Sequence, residues 1–150
     1  MGKWDTVVVV YDRASSGKAD LAQSVYVVEE YSEENTGATL NTGATNIRQS
    51  ADDDNLVVFD VKSGATISAI LNSEVTFPYN YTAGGAAYFI ADGSKPTTAA
   101  GALTAASSAL TTLSDPGSGN TTTIWLVVVS EDGLHFSTYK TSIVSATDWA

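Results

Sequence analysis

The chain has 150 residues, enough for one domain with a hydrophobic core, and 43% of them are hydrophobic against 16% charged. Seventeen acidic and seven basic residues leave a formal charge of -10, without the clustered Lys and Arg that displace counterions from nucleic acid or hold an anionic membrane. There is no cysteine, which excludes disulfide frameworks, thiolate metal sites and cysteine nucleophiles.

In chain order, Trp4 to Tyr11 is β-branched and aromatic and reads as a strand. The start, MGKWDTVVVVYDR, has too short an apolar run for a signal peptide or a membrane span. A helical turn from Ala19 leads into a strand at Ser24 to Tyr31. Residues 32–55 are polar and contain NTGATLNTGATN, the same five letters twice, six residues apart. Two copies are too few for a stacked β-helix. Asn-Thr-Gly is turn chemistry, because Asn bonds its own backbone and Gly accepts positive φ. This stretch is expected to be an extended loop or arm that lies on a neighbour and orders on contact. Its candidate contact residues are Asn35, Thr36, Leu40, Asn41, Thr42 and Ile47.

Further strands are expected at Leu56 to Val61, Thr66 to Leu71, Glu74 to Tyr81 and Ala86 to Ala91. Residues 97–113 are the one expected helix, capped by Thr97 or Thr98, with Ala99, Leu103, Ala106, Leu110 and Leu113 on one face. Ile124 to Ser130 and Leu134 to Tyr139, joined at Glu131, Asp132 and Gly133, form a hairpin, and Ile143 to Val144 adds a short strand. The fold class is mainly β to α+β: an antiparallel β-sandwich or sheet of about seven or eight strands with one helix, in a single domain over 1–150.

Two strands are apolar at every position, Val7 to Val10 and Ile124 to Val129. Side chains alternate between faces along a strand, so both faces of each need cover. One Ala-rich helix shields one face. The expectation is that a neighbouring molecule covers the other, set against a sandwich that buries everything internally.

Little here reads as chemistry. His135 is the only histidine; Ser130, Asp132 and Ser137 lie near it, but nothing in the sequence supplies the buried partner that orients a catalytic base. The acids Glu29, Glu30, Glu33, Glu34 and Asp52 to Asp54 lack the order of a calcium loop and read as a solvated cluster. The chain is expected to be non-enzymatic and to need no cofactor or metal.

Two resemblances bear on function. The hairpin residues Ser130, Asp132, Gly133 and Phe136 resemble the S-x-D-G-x-x-aromatic hairpin of discoidin-type carbohydrate-binding sandwiches, over about a tenth of the chain. That implies a glycan-binding alternative, with Trp125, Tyr139 and Trp149 as its aromatics. The whole chain is similar in style to small virion proteins of tailed phages: an unprocessed MGKWD start, no cysteine, few basic residues, TTAAGALTAASSALTT and a long polar loop. It implies a structural protein made in the host cytoplasm and carried on the capsid exterior as a decoration or cement subunit. Its partners would be the shell protein, copies of itself, or both. A tail-tube or connector subunit is the second alternative.

Overall fold

A computed structural model describes residues 4–13, 21–29, 36–51, 57–77 and 86–150. The chain divides into two compact units, Met1–Ser32 and Glu33–Ala150.

The first unit is a two-stranded antiparallel ribbon, β1 (Trp4–Arg13) and β2 (Leu21–Glu29), in which Val7 faces Val27 and Val9 faces Val25. The register shifts by one residue between Trp4 and Thr6. The helical turn expected ahead of Ser24 gives way to strand from Leu21 onward.

The second unit is built on β4 (Ile47–Gln49), β5 (Phe59–Lys62), β7 (Ala86–Ala91), β8 (Thr121–Val129) and β9 (Phe136–Val144), ordered β4-β5-β9-β8-β7. A separate pair joins β3 (Thr39–Leu40) to β6 (Val75–Thr76). The β-rich α+β class is as expected, but the main element is one mixed sheet: β5 and β9 run parallel, with Val61 beside Ile143. A parallel pair requires a long crossover, and residues 63–135 supply it.

Other elements of the second unit also differ from the sequence expectation. Thr66 to Leu71 is not a strand. It forms α1 (Ile67–Ala69), which continues as a wider π-helical turn over Ile70–Glu74. Ile67, Ile70 and Leu71 all meet the core, at the i, i+3, i+4 spacing that a helix brings to one face. The expected helix over 97–113 is α2 (Ala99–Ala105) alone, followed by a 3₁₀ turn over Ala106–Ser108. Thr98 does cap it, its side chain accepting from the Gly101 N–H at 3.0 Å. From Ala109 the chain is extended, because Leu110 N–H donates to Phe89 O and Leu113 O accepts from Gly64 N–H, both at 2.8 Å. These tertiary bonds outweigh local helix propensity. The buried residue of α2 is Ala102, while Leu103, expected on the core face, is exposed. Finally, residues 36–51 are no free arm: they carry β3 and β4 into the body of the unit.

Packing answers the question raised by the two-faced strands. Ile124, Leu126, Val127, Val128 and Val129 are each at most 2% exposed. Ile124, Leu126 and Val128 lie on one face of the sheet with Phe59, Val61, Phe89 and Ile143, covered by Ile70, Val75 and Leu113. Val127 and Val129 lie on the other with Tyr88 and Ile90, under Ala102, Ala105, Ala106 and Ala109. Alanines let α2 approach closely enough for the Tyr88 hydroxyl to donate to Ala102 O. The chain therefore seals this strand itself, and the expectation that Ile124 to Val129 needs a neighbour is corrected. The side chains of Val7 to Val10 lie outside the described residues.

Candidate functional site

Of the six residues expected to touch a partner, Asn35 lies outside the described residues. Thr36 and Ile47 are buried in the unit's own interior, and Leu40 packs on its core. The Thr36 backbone carbonyl accepts from the Tyr139 hydroxyl at 2.7 Å. Asn41 is tied down as well: its N–H donates to Glu74 O and its Nδ2 to Ser73 O, each at 2.9 Å, and its Oδ1 accepts from the Thr76 hydroxyl. Thr42 is exposed, beside Gly43 at φ +88°. Thr36, Leu40, Asn41 and Ile47 are thus engaged within the protein itself, while Thr42 stays exposed.

What anchors it is Glu74. One carboxylate oxygen, Oε1, accepts from the Asn46 N–H at 2.9 Å, the Thr45 hydroxyl at 3.2 Å and the Thr45 N–H. The other, Oε2, accepts from Asn46 Nδ2 at 3.1 Å. Burial of Glu74 opposes ionisation, but these bonds outweigh it and hold the carboxyl below its ordinary value. Sequence reading missed this residue; its only signal was an acid placed four residues after buried Ile70.

The hairpin loop shows why the Ser, His and Asp near one another do not form a triad. The Ser130 hydroxyl donates to Asp132 Oδ1 at 2.5 Å and accepts from the His135 backbone N–H at 3.1 Å. Asp132 Oδ1 also takes the Leu134 N–H at 2.9 Å, and Gly133 turns the chain at φ +73°. Serine thus meets the carboxylate directly and the histidine only through its backbone. A triad needs the imidazole between the two. This arrangement closes a turn.

The three aromatics of the glycan reading are each engaged within the chain. Lys95 Nζ lies 3.8 Å from the centroid of the Trp125 ring, whose N–H donates to Asp92 Oδ1 at 2.7 Å. Arg48 covers Trp149 at 4.1 Å, and the indole N–H donates to Thr45 O at 2.9 Å. Tyr139 tilts against Phe59 with centroids 5.8 Å apart, and its hydroxyl serves Thr36. Each of these rings therefore already has one face or its polar edge engaged within the chain.

An open groove of about 520 Å³ runs between Gly64–Ser68 and Leu110–Leu113. Its lining offers threonine and serine hydroxyls and apolar groups but no carboxylate, amine or imidazole, so it holds no acid–base pair. Among the described residues no three His, Asp or Glu side chains are grouped to hold a metal, and no helix is long and apolar enough to cross a membrane. Asp52 to Asp54 lie outside the described residues. No family model, curated protein or solved structure matches the chain.

What remains is the ribbon. Positions Val7, Val9, Val25 and Val27 fall on one face and Val8, Val10, Tyr26 and Val28 on the other, by the register of the pair. Among the described residues its sheet has two strands only.

Proposed function

We propose that the protein is a structural, non-enzymatic assembly subunit, a decoration or cement protein of a virion exterior, and that the ribbon β1–β2 is its docking element. One observation carries this reading: a ribbon apolar by position on both faces forms a unit distinct from a second unit that seals its own strands. A two-stranded ribbon is marginal in water by itself and gains stability from further strands or a covering surface. A shell protein, or other copies of the chain, provides that surface, and many such contacts on one particle add through multivalency. The charge of -10 suits a protein that stays soluble before assembly and avoids a packaged genome. The test is copurification with intact virus particles and release by mild denaturant. A chain that stays free in solution in the presence of particles overturns the proposal.

A further inference from the structure

We propose that the second unit carries a docking surface of its own, a basic face of its five-stranded sheet, and that the partner it fits is a protein surface bearing clustered carboxylates. This surface is distinct from the docking ribbon, and its role does not depend on the assembly reading.

Strand alternation places the charges. Arg48 and Lys62 adjoin Ile47 and Val61, whose side chains enter the core, so both turn to the opposite face of the sheet. Trp125, between core residues Ile124 and Leu126, turns the same way, and Lys140 stands opposite it on β9. Asp60 faces Arg48 across β4 and β5. Lys95 joins this face by resting on the Trp125 ring, and Trp149 by lying under Arg48. Arg48, Lys62, Lys95 and Lys140 are all the lysines and arginines that Glu33–Ala150 contains. The alanines of α2 lie over the β7–β8 end of the face, at Tyr88, Ile90, Val127 and Val129.

Within the chain these cations are poorly matched. Acids outnumber bases seventeen to seven. Even so, Arg48 pairs with Asp60 at 3.2 Å, while among the described residues Lys62, Lys95 and Lys140 have no ion pair. Lys95 is exposed, Lys62 and Lys140 are half-buried, and the Arg48 side chain is 38% exposed. Two of the four cations already rest on indole rings, which limits the freedom they lose when a partner binds.

The charge pattern selects the partner. At physiological salt, fields fade beyond about 8 Å, so a molecule at this face meets the local cations rather than the net charge of -10. Complementary charge across a contact fixes register and excludes wrong partners, and Trp with Arg is a composition enriched where proteins meet. Asp60 and Asp92 stand among the cations, Asp92 on the Trp125 indole N–H. They oppose a polymer that carries an anion at every repeat. A folded protein surface can set its carboxylates against the lysines alone.

The test titrates hexaglutamate, and separately heparin, into the isotope-labelled full chain and follows its amide and indole signals by NMR. Hexaglutamate is expected to shift the amides of Arg48, Lys62 and Lys140 and the indole N–H signals of Trp125 and Trp149, with shifts that fade as salt is raised. Lys62→Gln with Lys140→Gln should weaken this binding about tenfold. Thr112→Glu with Leu134→Glu, at exposed positions elsewhere on the unit, alters the net charge equally and should change it less than about twofold. Equal weakening by the two double variants, or shifts that map to other residues, overturns the proposal. Heparin binding at the same signals more tightly than hexaglutamate overturns the choice of a protein partner. A chain that ignores hexaglutamate yet cosediments with virus particles removes this surface and leaves the decoration reading standing. A chain that binds hexaglutamate here and ignores particles supports the surface and removes decoration.

Discussion

Glu74 grips Asn46 with both carboxylate oxygens, Oε1 on its backbone N–H at 2.9 Å and Oε2 on its side-chain amide at 3.1 Å. Two bonds from Thr45 complete the set. A single acid thereby fixes the end of the second pentapeptide at Thr45 and the residue after it, Asn46.

The first prediction follows from that grip. Glu74→Ala leaves several donors without their charged acceptor and should cost about 1–3 kcal/mol, read by urea unfolding. Glu74→Gln should cost less, since one oxygen still accepts. The folded carboxyl titrates below its unfolded value, so its contribution is fully present above the ordinary carboxylate range and is lost as pH falls through the lowered folded value. Stability measured against pH should therefore lose part of its acid slope in Glu74→Gln. An unchanged slope contradicts the assignment.

Trp149 holds the same loop from the other side. Its indole N–H takes the Thr45 carbonyl while its ring lies under Arg48, which is paired with Asp60 at 3.2 Å. Trp149→Ala should cost roughly 1–2 kcal/mol through the lost hydrogen bond and cation–π contact. Because Thr45 joins both anchors, the double variant with Glu74→Ala should depart from additivity. Faster amide exchange confined to residues 41–46 is the accompanying signature.

Core substitutions test the sealing of β8. Leu126→Ala removes a fully buried side chain and should cost about 2–5 kcal/mol. Leu134, 72% exposed in the hairpin loop, should change stability by less than about 0.5 kcal/mol when replaced by Ser. Comparable losses at the two positions would contradict the two-cluster core.

The Thr98 cap gives a smaller, local effect. Thr98→Ala frees the Gly101 N–H and should cost about 0.5–2 kcal/mol. Gly101→Ala should cost less than this: a Cβ there would sit 2.9 Å from Thr98 Oγ1 and displace the cap, but alanine favours the helix over glycine by about 0.5–1 kcal/mol. Thermal unfolding of both variants checks this.

Strands and caps with strong local signals were legible in the sequence. Ala86 to Ala91 is strand over the expected span, the hairpin forms where expected, and Thr98 caps α2. Ile143 to Val144 proves to be the end of β9 rather than a strand of its own. What could not be read depends on partners distant in sequence. Ile67, Ile70 and Leu71 fit strand or helix by composition, and only the core they meet decides. The repeat looks like a free loop because Asn, Thr and Gly are turn residues, yet Thr36, Leu40 and Ile47 pack inward once Glu74 and Tyr139 bind the backbone between and beside them. Thr36, Leu40 and Ile47 are taken into the protein's own interior for that reason, whereas the Val runs of β1 and β8, which read alike as two-faced strands, cannot be told apart by composition.

The most direct test of the account is cosedimentation of the full chain with intact virus particles, compared with Val9→Lys. The account predicts a wild-type chain bound to particles, and a Val9→Lys chain left free whose β8 amides stay protected from exchange. A wild-type chain that stays free of particles, or a Val9→Lys variant that binds them as before, would contradict it.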